Sequence, residues 1–64
     1  MQWTDIIDIA IELEEKHPGE DVPYISFPKL QQLVLELEDF DDDPKRCNEK
    51  VLEAIQAAWL DEKE

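Results

Sequence analysis

Phe27-Pro28-Lys29-Leu30-Gln31-Gln32-Leu33-Val34-Leu35-Glu36-Leu37-Glu38-Asp39-Phe40-Asp41-Asp42-Asp43-Pro44 is the stretch on which the fold turns. Proline suits the first turn of a helix, where its missing N–H would have no partner anyway, so Pro28 opens one. Leu30, Leu33, Val34 and Leu37 then recur at i, i+3, i+4 and i+7, the spacing of a single helical face. Leu35 falls off that face and is left to solvent or to a partner. The pattern fades into Glu38-Asp39-Phe40-Asp41-Asp42-Asp43, where five of six side chains are carboxylates. Phe40, alone among the acids, is predicted to tuck in beside Trp59 and the Leu33/Leu37 face.

Toward the N-terminus, Val22 to Phe27 alternates loosely, with Ile25 and Phe27 on one side. Its β-branched and aromatic content suits a short strand, which Pro23 confines to a sheet edge. Before it, Thr4 reads as the N-cap of a first helix, with Asp5 at its positive end. Ile6, Ile9, Ala10 and Leu13 form its apolar face, and Ile7 and Ile11 widen it, so this helix is expected to be covered on two sides. Asp8, Glu12 and Glu15 line another side, with Asp5 near them. Lys16 and His17 complement the helix C-terminus, and Pro18-Gly19 stops it.

On the C-terminal side, Asp43-Pro44 reads as N-cap and first residue of a third helix. Asn48 is the alternative cap, which leaves Pro44 to Cys47 as a preceding turn. Val51, Leu52, Ile55, Ala58 and Trp59 supply the buried face. The fold expected is mainly α: a compact three-helix domain with a short strand element, single over residues 1–64. The helix-strand-helix-helix order matches the front half of a winged helix-turn-helix.

Charge argues against the usual use of that fold. The 64 residues carry 18 Asp and Glu against 6 Lys and Arg, a net charge of −12. Such a chain repels phosphate backbones and anionic membranes, so no nucleic acid and no membrane is expected as a partner. A basic protein surface or a cation is the natural complement. The single cysteine, Cys47, excludes an internal disulfide and a Cys-rich zinc site. No apolar run approaches the roughly 20 residues that span a bilayer. Met1 to Asp5 lacks the basic start and apolar core of a secretory signal, and a cytoplasmic monomer is expected.

The acidic loop is the densest chemistry. Clustered carboxylates can share a hard cation through oxygen ligands. As a calcium-binding EF-hand loop starting at Asp39 it fails, because Pro44 stands where Gly is needed and Lys50 where Glu is needed. The candidate metal residues are Asp39, Asp41, Asp42 and Asp43. The candidate partner-binding residues are Glu38, Asp39, Asp41, Asp42 and Asp43, with Asp5, Asp8 and Glu12 as a second group. Cys47 reads as a small packing residue, and Trp3 and Trp59 as core aromatics. Ser26, the only serine, lies in the strand region with no motif around it and gives a Ser-His-Asp arrangement no support, and with Gly19 the only glycine there is no phosphate-cradling loop.

Trp3-Thr4-Asp5, Leu37-Glu38-Asp39-Phe40-Asp41-Asp42-Asp43-Pro44, Asn48-Glu49-Lys50-Val51-Leu52-Glu53-Ala54-Ile55 and Trp59-Leu60-Asp61-Glu62 together resemble the IscX family, also called YfhJ. The likeness runs from Trp3 to Glu62 in one register. It implies a winged-helix-like fold and a non-enzymatic adaptor or regulator of iron-sulfur cluster assembly. It also implies binding to the cysteine desulfurase through an acidic surface, in competition with a frataxin-like protein, and weak binding of ferrous iron. The chain departs from the family at Lys29, Leu33 and Cys47. Lys29 weakens any acidic patch over the start of the second helix. The alternative expectation is a generic acidic module that mimics nucleic-acid charge and blocks a basic partner.

Overall fold

The computed structural model describes residues 1–64. Three helices carry the fold: α1 (Ile6–Lys16), α2 (Phe27–Leu35) and α3 (Glu49–Glu62). Short 3-10 turns at Val22–Tyr24 and Pro44–Arg46 lie between them. Fourteen buried residues, all apolar, form one core; Trp59, Ile9, Leu13, Leu30 and Ile55 are among its fully enclosed side chains. The α1 and α3 faces read from the sequence meet each other in the most extensive helix contact, and α2 closes over them. No buried side-chain nitrogen or oxygen lacks a partner.

The predominantly helical architecture is as expected, but the strand and the winged-helix likeness are not. Val22–Tyr24 is a 3-10 turn, followed by extended backbone at Ile25. A strand requires a neighbour to accept its hydrogen bonds, and this chain contains no second strand. The segment satisfies its backbone otherwise. The Ile25 N–H donates to the Val22 carbonyl at 3.3 Å, and the Gln56 side chain of α3 donates to the same oxygen at 2.8 Å. Without a hairpin there is no wing.

The helix ends follow local chemistry more closely than hydrophobic pattern. Asn48 caps α3 by accepting from Val51 N–H at 2.9 Å, which settles the choice between the two candidate starts. Asp43 caps the preceding turn instead, accepting from Lys45 N–H at 2.9 Å. Ser26, read as part of the strand, is the N-cap of α2, and Pro28 lies in the first turn. Thr4 is not a cap. Asp5 holds that position, with its carboxylate turned back to the Gln2 N–H at 2.8 Å. Helix α2 stops at Leu35, and Leu37 is buried from the turn beyond it.

Two apolar expectations are corrected. Ile7 is 62% exposed and Ile11 38% exposed, so α1 is covered on one side only. Phe40 is half-buried and packs edge-to-face on Trp3, with ring centroids 4.6 Å apart, where Trp59 was the expected partner.

Candidate functional site: the acidic loop and its clasp

The acidic loop is held in place by the first three residues of the chain. The Trp3 backbone N–H donates to Asp42 Oδ2 at 3.1 Å, and the Trp3 indole N–H donates to the Asp43 carbonyl at 2.8 Å. The Asp41 N–H donates to the Met1 carbonyl at 3.0 Å, and the Met1 amino group donates to the Asp39 carbonyl. With Trp3 buried in the core and Phe40 against its ring, the loop is anchored by packing and by hydrogen bonds at once.

This clasp divides the carboxylates into two kinds. Asp42 is structural: its side chain is only 8% exposed. It accepts from Trp3 N–H, from Asp43 N–H at 2.7 Å and from the Arg46 guanidinium at 3.3 Å. Hydrogen bonds to the ionised form favour it. The Trp3 and Asp43 amides, in that order, hold the Asp42 carboxyl below its ordinary range against the opposing effect of burial, with Arg46 adding to the lowering. Asp43 is occupied by the Lys45 amide. Glu38 and Asp39 are exposed and make no side-chain hydrogen bond or ion pair, while Asp41 is 80% exposed and faces the Met1 amino group at 3.4 Å.

Of the second predicted group, only Asp5 is tied to the segment that clasps the loop. Asp5 grips Gln2, the residue before Trp3, so the start of α1 and the acidic loop are tied to the same short N-terminal segment. Asp8 is exposed and Glu12 half-buried on α1. No three His, Cys, Asp or Glu side chains converge as a group able to hold a metal ion. Oxygen donors are present at the loop, but they point to separate tasks. Cys47 is half-buried, and burial pushes its thiol up, away from the reactive thiolate.

One polar cluster escaped the sequence reading. Glu14 Oε1 accepts the Trp59 indole N–H at 3.0 Å and pairs with Lys63 at 2.9 Å; Lys63 also donates to the Pro18 carbonyl at 2.8 Å. Lys63 first, then Trp59, holds the Glu14 carboxyl low. The signal was available: a buried Trp needs an acceptor, and Glu14 is the α1 carboxylate bordering the Ala10/Leu13 face.

These features define a small acidic helical protein whose carboxylate-rich loop is anchored to its N-terminal segment. Comparison with known proteins places it further. The family model described as iron-sulphur cluster assembly matches residues 1–64. An uncharacterised protein of Pseudomonas aeruginosa is 52% identical over 64 residues, covering 100% of this chain and 97% of that protein. The chain belongs to this iron-sulphur cluster assembly family, the IscX family. No helix is long and apolar enough to cross a membrane.

Proposed function

We propose that this protein is a non-enzymatic adaptor of iron-sulfur cluster assembly that docks on the cysteine desulfurase through its acidic surface. The observation that carries the reading is the division of labour in the loop. Asp42 and Asp43 are spent on holding the backbone, while Glu38, Asp39 and Asp41 are displayed to solvent on a fixed frame. A pre-ordered charged surface loses little conformational entropy on binding, which favours recognition of a basic protein surface. In this reading Asp5 and Asp8, exposed at the start of α1, are a second group of contacts. Competition with a frataxin-like protein follows if both acidic proteins use one basic patch on the desulfurase.

Ferrous iron is a second, weaker ligand in this reading. An exposed oxygen-only set without convergent geometry binds divalent ions loosely, at roughly micromolar affinity or worse, and discriminates poorly among them. Glu38 and Asp39, which have no side-chain partner, and Asp41, whose one partner is the Met1 amino group at 3.4 Å, are the carboxylates to contribute. The membership in the assembly family favours the desulfurase over the alternative of a nucleic-acid charge mimic. A pull-down from lysate tests the choice: the account expects the desulfurase band, and capture of a nucleic-acid-binding protein in its place would overturn it.

A further inference from the structure

The apolar ridge on α1 has no internal explanation. Ile7 and Ile11 stand one turn apart on the same side of the helix, 62% and 38% exposed. The other exposed large apolar residues, Tyr24 and Leu35, lie singly on different elements. Isolated exposures are ordinary, but two isoleucines in register leave a continuous apolar strip against water. Its N-terminal end opens into a shallow depression of about 270 Å³ lined by Thr4, Asp5, Ile6, Ile7 and Asp8. Asp8, Glu12 and Glu15 follow the same helix beside the ridge, and none of them belongs to an ion pair.

We propose that this face of α1 is a docking surface for a partner protein that presents an apolar side chain surrounded by Lys and Arg. Charge complementarity selects the occupant. A second copy of this chain would bring a net charge of −12 and the same unpaired carboxylates against the ridge. A basic surface neutralises them and covers the isoleucines in the same step. The carboxylates steer the encounter, and Ile7 and Ile11 slow dissociation once the patch is desolvated. The inference rests on the reading above for the partner's identity, the desulfurase, and adds to it an apolar anchor outside the acidic loop.

The test uses the full chain, its Ile7→Gln/Ile11→Gln double variant, and two probes. One is a synthetic amphipathic helical peptide of Leu and Lys, followed by amide NMR; the other is the purified desulfurase. Both substitutions are at exposed positions and favour helix, and unchanged core amide shifts check that the fold is kept. The expected result is peptide-induced shifts centred on residues 7–15, with affinity for both probes reduced about tenfold in the double variant, equivalent to about 1.4 kcal/mol. Peptide shifts centred on residues 38–43, or unchanged peptide affinity in the double variant, would overturn the surface. So would a wild-type dimer that the double variant abolishes. If the desulfurase does not bind the wild type while the peptide still maps to α1, the adaptor reading fails and the surface stands. If the desulfurase binds wild type and double variant equally, the anchor fails and the adaptor reading stands.

Discussion

Trp3 and Asp42, separated by 39 positions in the chain, are joined by a backbone N–H donating to a carboxylate at 3.1 Å. That bond closes the N-terminal segment onto the acidic loop and removes Asp42 from the set of free carboxylates. An Asp42→Asn variant keeps the shape but gives up the charge that three donors address. It is expected to melt several degrees below wild type at neutral pH.

The same bond sets a pH dependence. The folded-state pKa of Asp42 is depressed, so the unfolded chain binds a proton first as the solution is acidified. The stabilisation is complete above the ordinary aspartate range and is lost as pH falls through the lower folded-state value. The melting difference between wild type and Asp42→Asn is therefore expected to narrow on acidification below that range. Comparing the difference between the two proteins removes the common effect of relieving repulsion among the other carboxylates. A difference that stays constant to low pH would show that Asp42 is not clasped.

Phe40 and Trp3 are predicted to be energetically coupled through their edge-to-face contact. Phe40→Ala is expected to cost about 2 kcal/mol in urea unfolding, less than a fully buried phenylalanine because Phe40 is half-buried. In a double-mutant cycle with Trp3→Leu, the two effects should fall short of additive. Full additivity would return Phe40 to some other neighbour.

The caps give a sharper contrast. Asn48→Ala removes the acceptor for Val51 N–H and is expected to cost about 1 kcal/mol. Thr4→Ala, at the position that sequence alone favours as a cap, should leave the urea midpoint unchanged, because Asp5 occupies the cap position.

Much of this fold was legible because its helices obey a simple period. Ile9, Leu13, Leu30, Leu33, Leu52, Ile55 and Trp59 were all read as core and are buried. The strand was misread because Val22-Pro23-Tyr24-Ile25 has strand composition, and composition does not reveal whether a partner strand exists. The exposure of Ile7 and Ile11 was hidden because an amphipathic pattern fixes the centre of an apolar face and leaves its edges open. At the candidate site, the density of carboxylates was plain in the sequence. Their separation into clasped and displayed groups was not, because it depends on Met1 and Trp3 lying across a loop about forty residues away. Nothing local to either segment encodes that pairing.

For divalent ions, the displayed carboxylates are the ones to replace, because Asp42 and Asp43 hold backbone amides. Asp39→Asn/Asp41→Asn should abolish most amide shifts induced by ferrous iron, manganese or calcium in residues 39–43, with the melting temperature nearly unchanged. All three ions are expected to act at similar concentrations, given an oxygen-only donor set. If the double variant responds as wild type does, the ions sit elsewhere, and Asp5, Asp8 and Glu12 become the residues to replace.

The most direct measurement is the affinity of the purified cysteine desulfurase for wild type and for Glu38→Gln/Asp39→Asn/Asp41→Asn, each at low and at several hundred millimolar salt. Exposed charges are screened over about 8 Å at physiological ionic strength, so docking through a displayed carboxylate surface must weaken as salt rises. The account predicts a steep loss of wild-type affinity with salt, and a triple variant that binds weakly at low salt with a shallower dependence. Equal affinities for the two proteins, unchanged between the two salt concentrations, would contradict it.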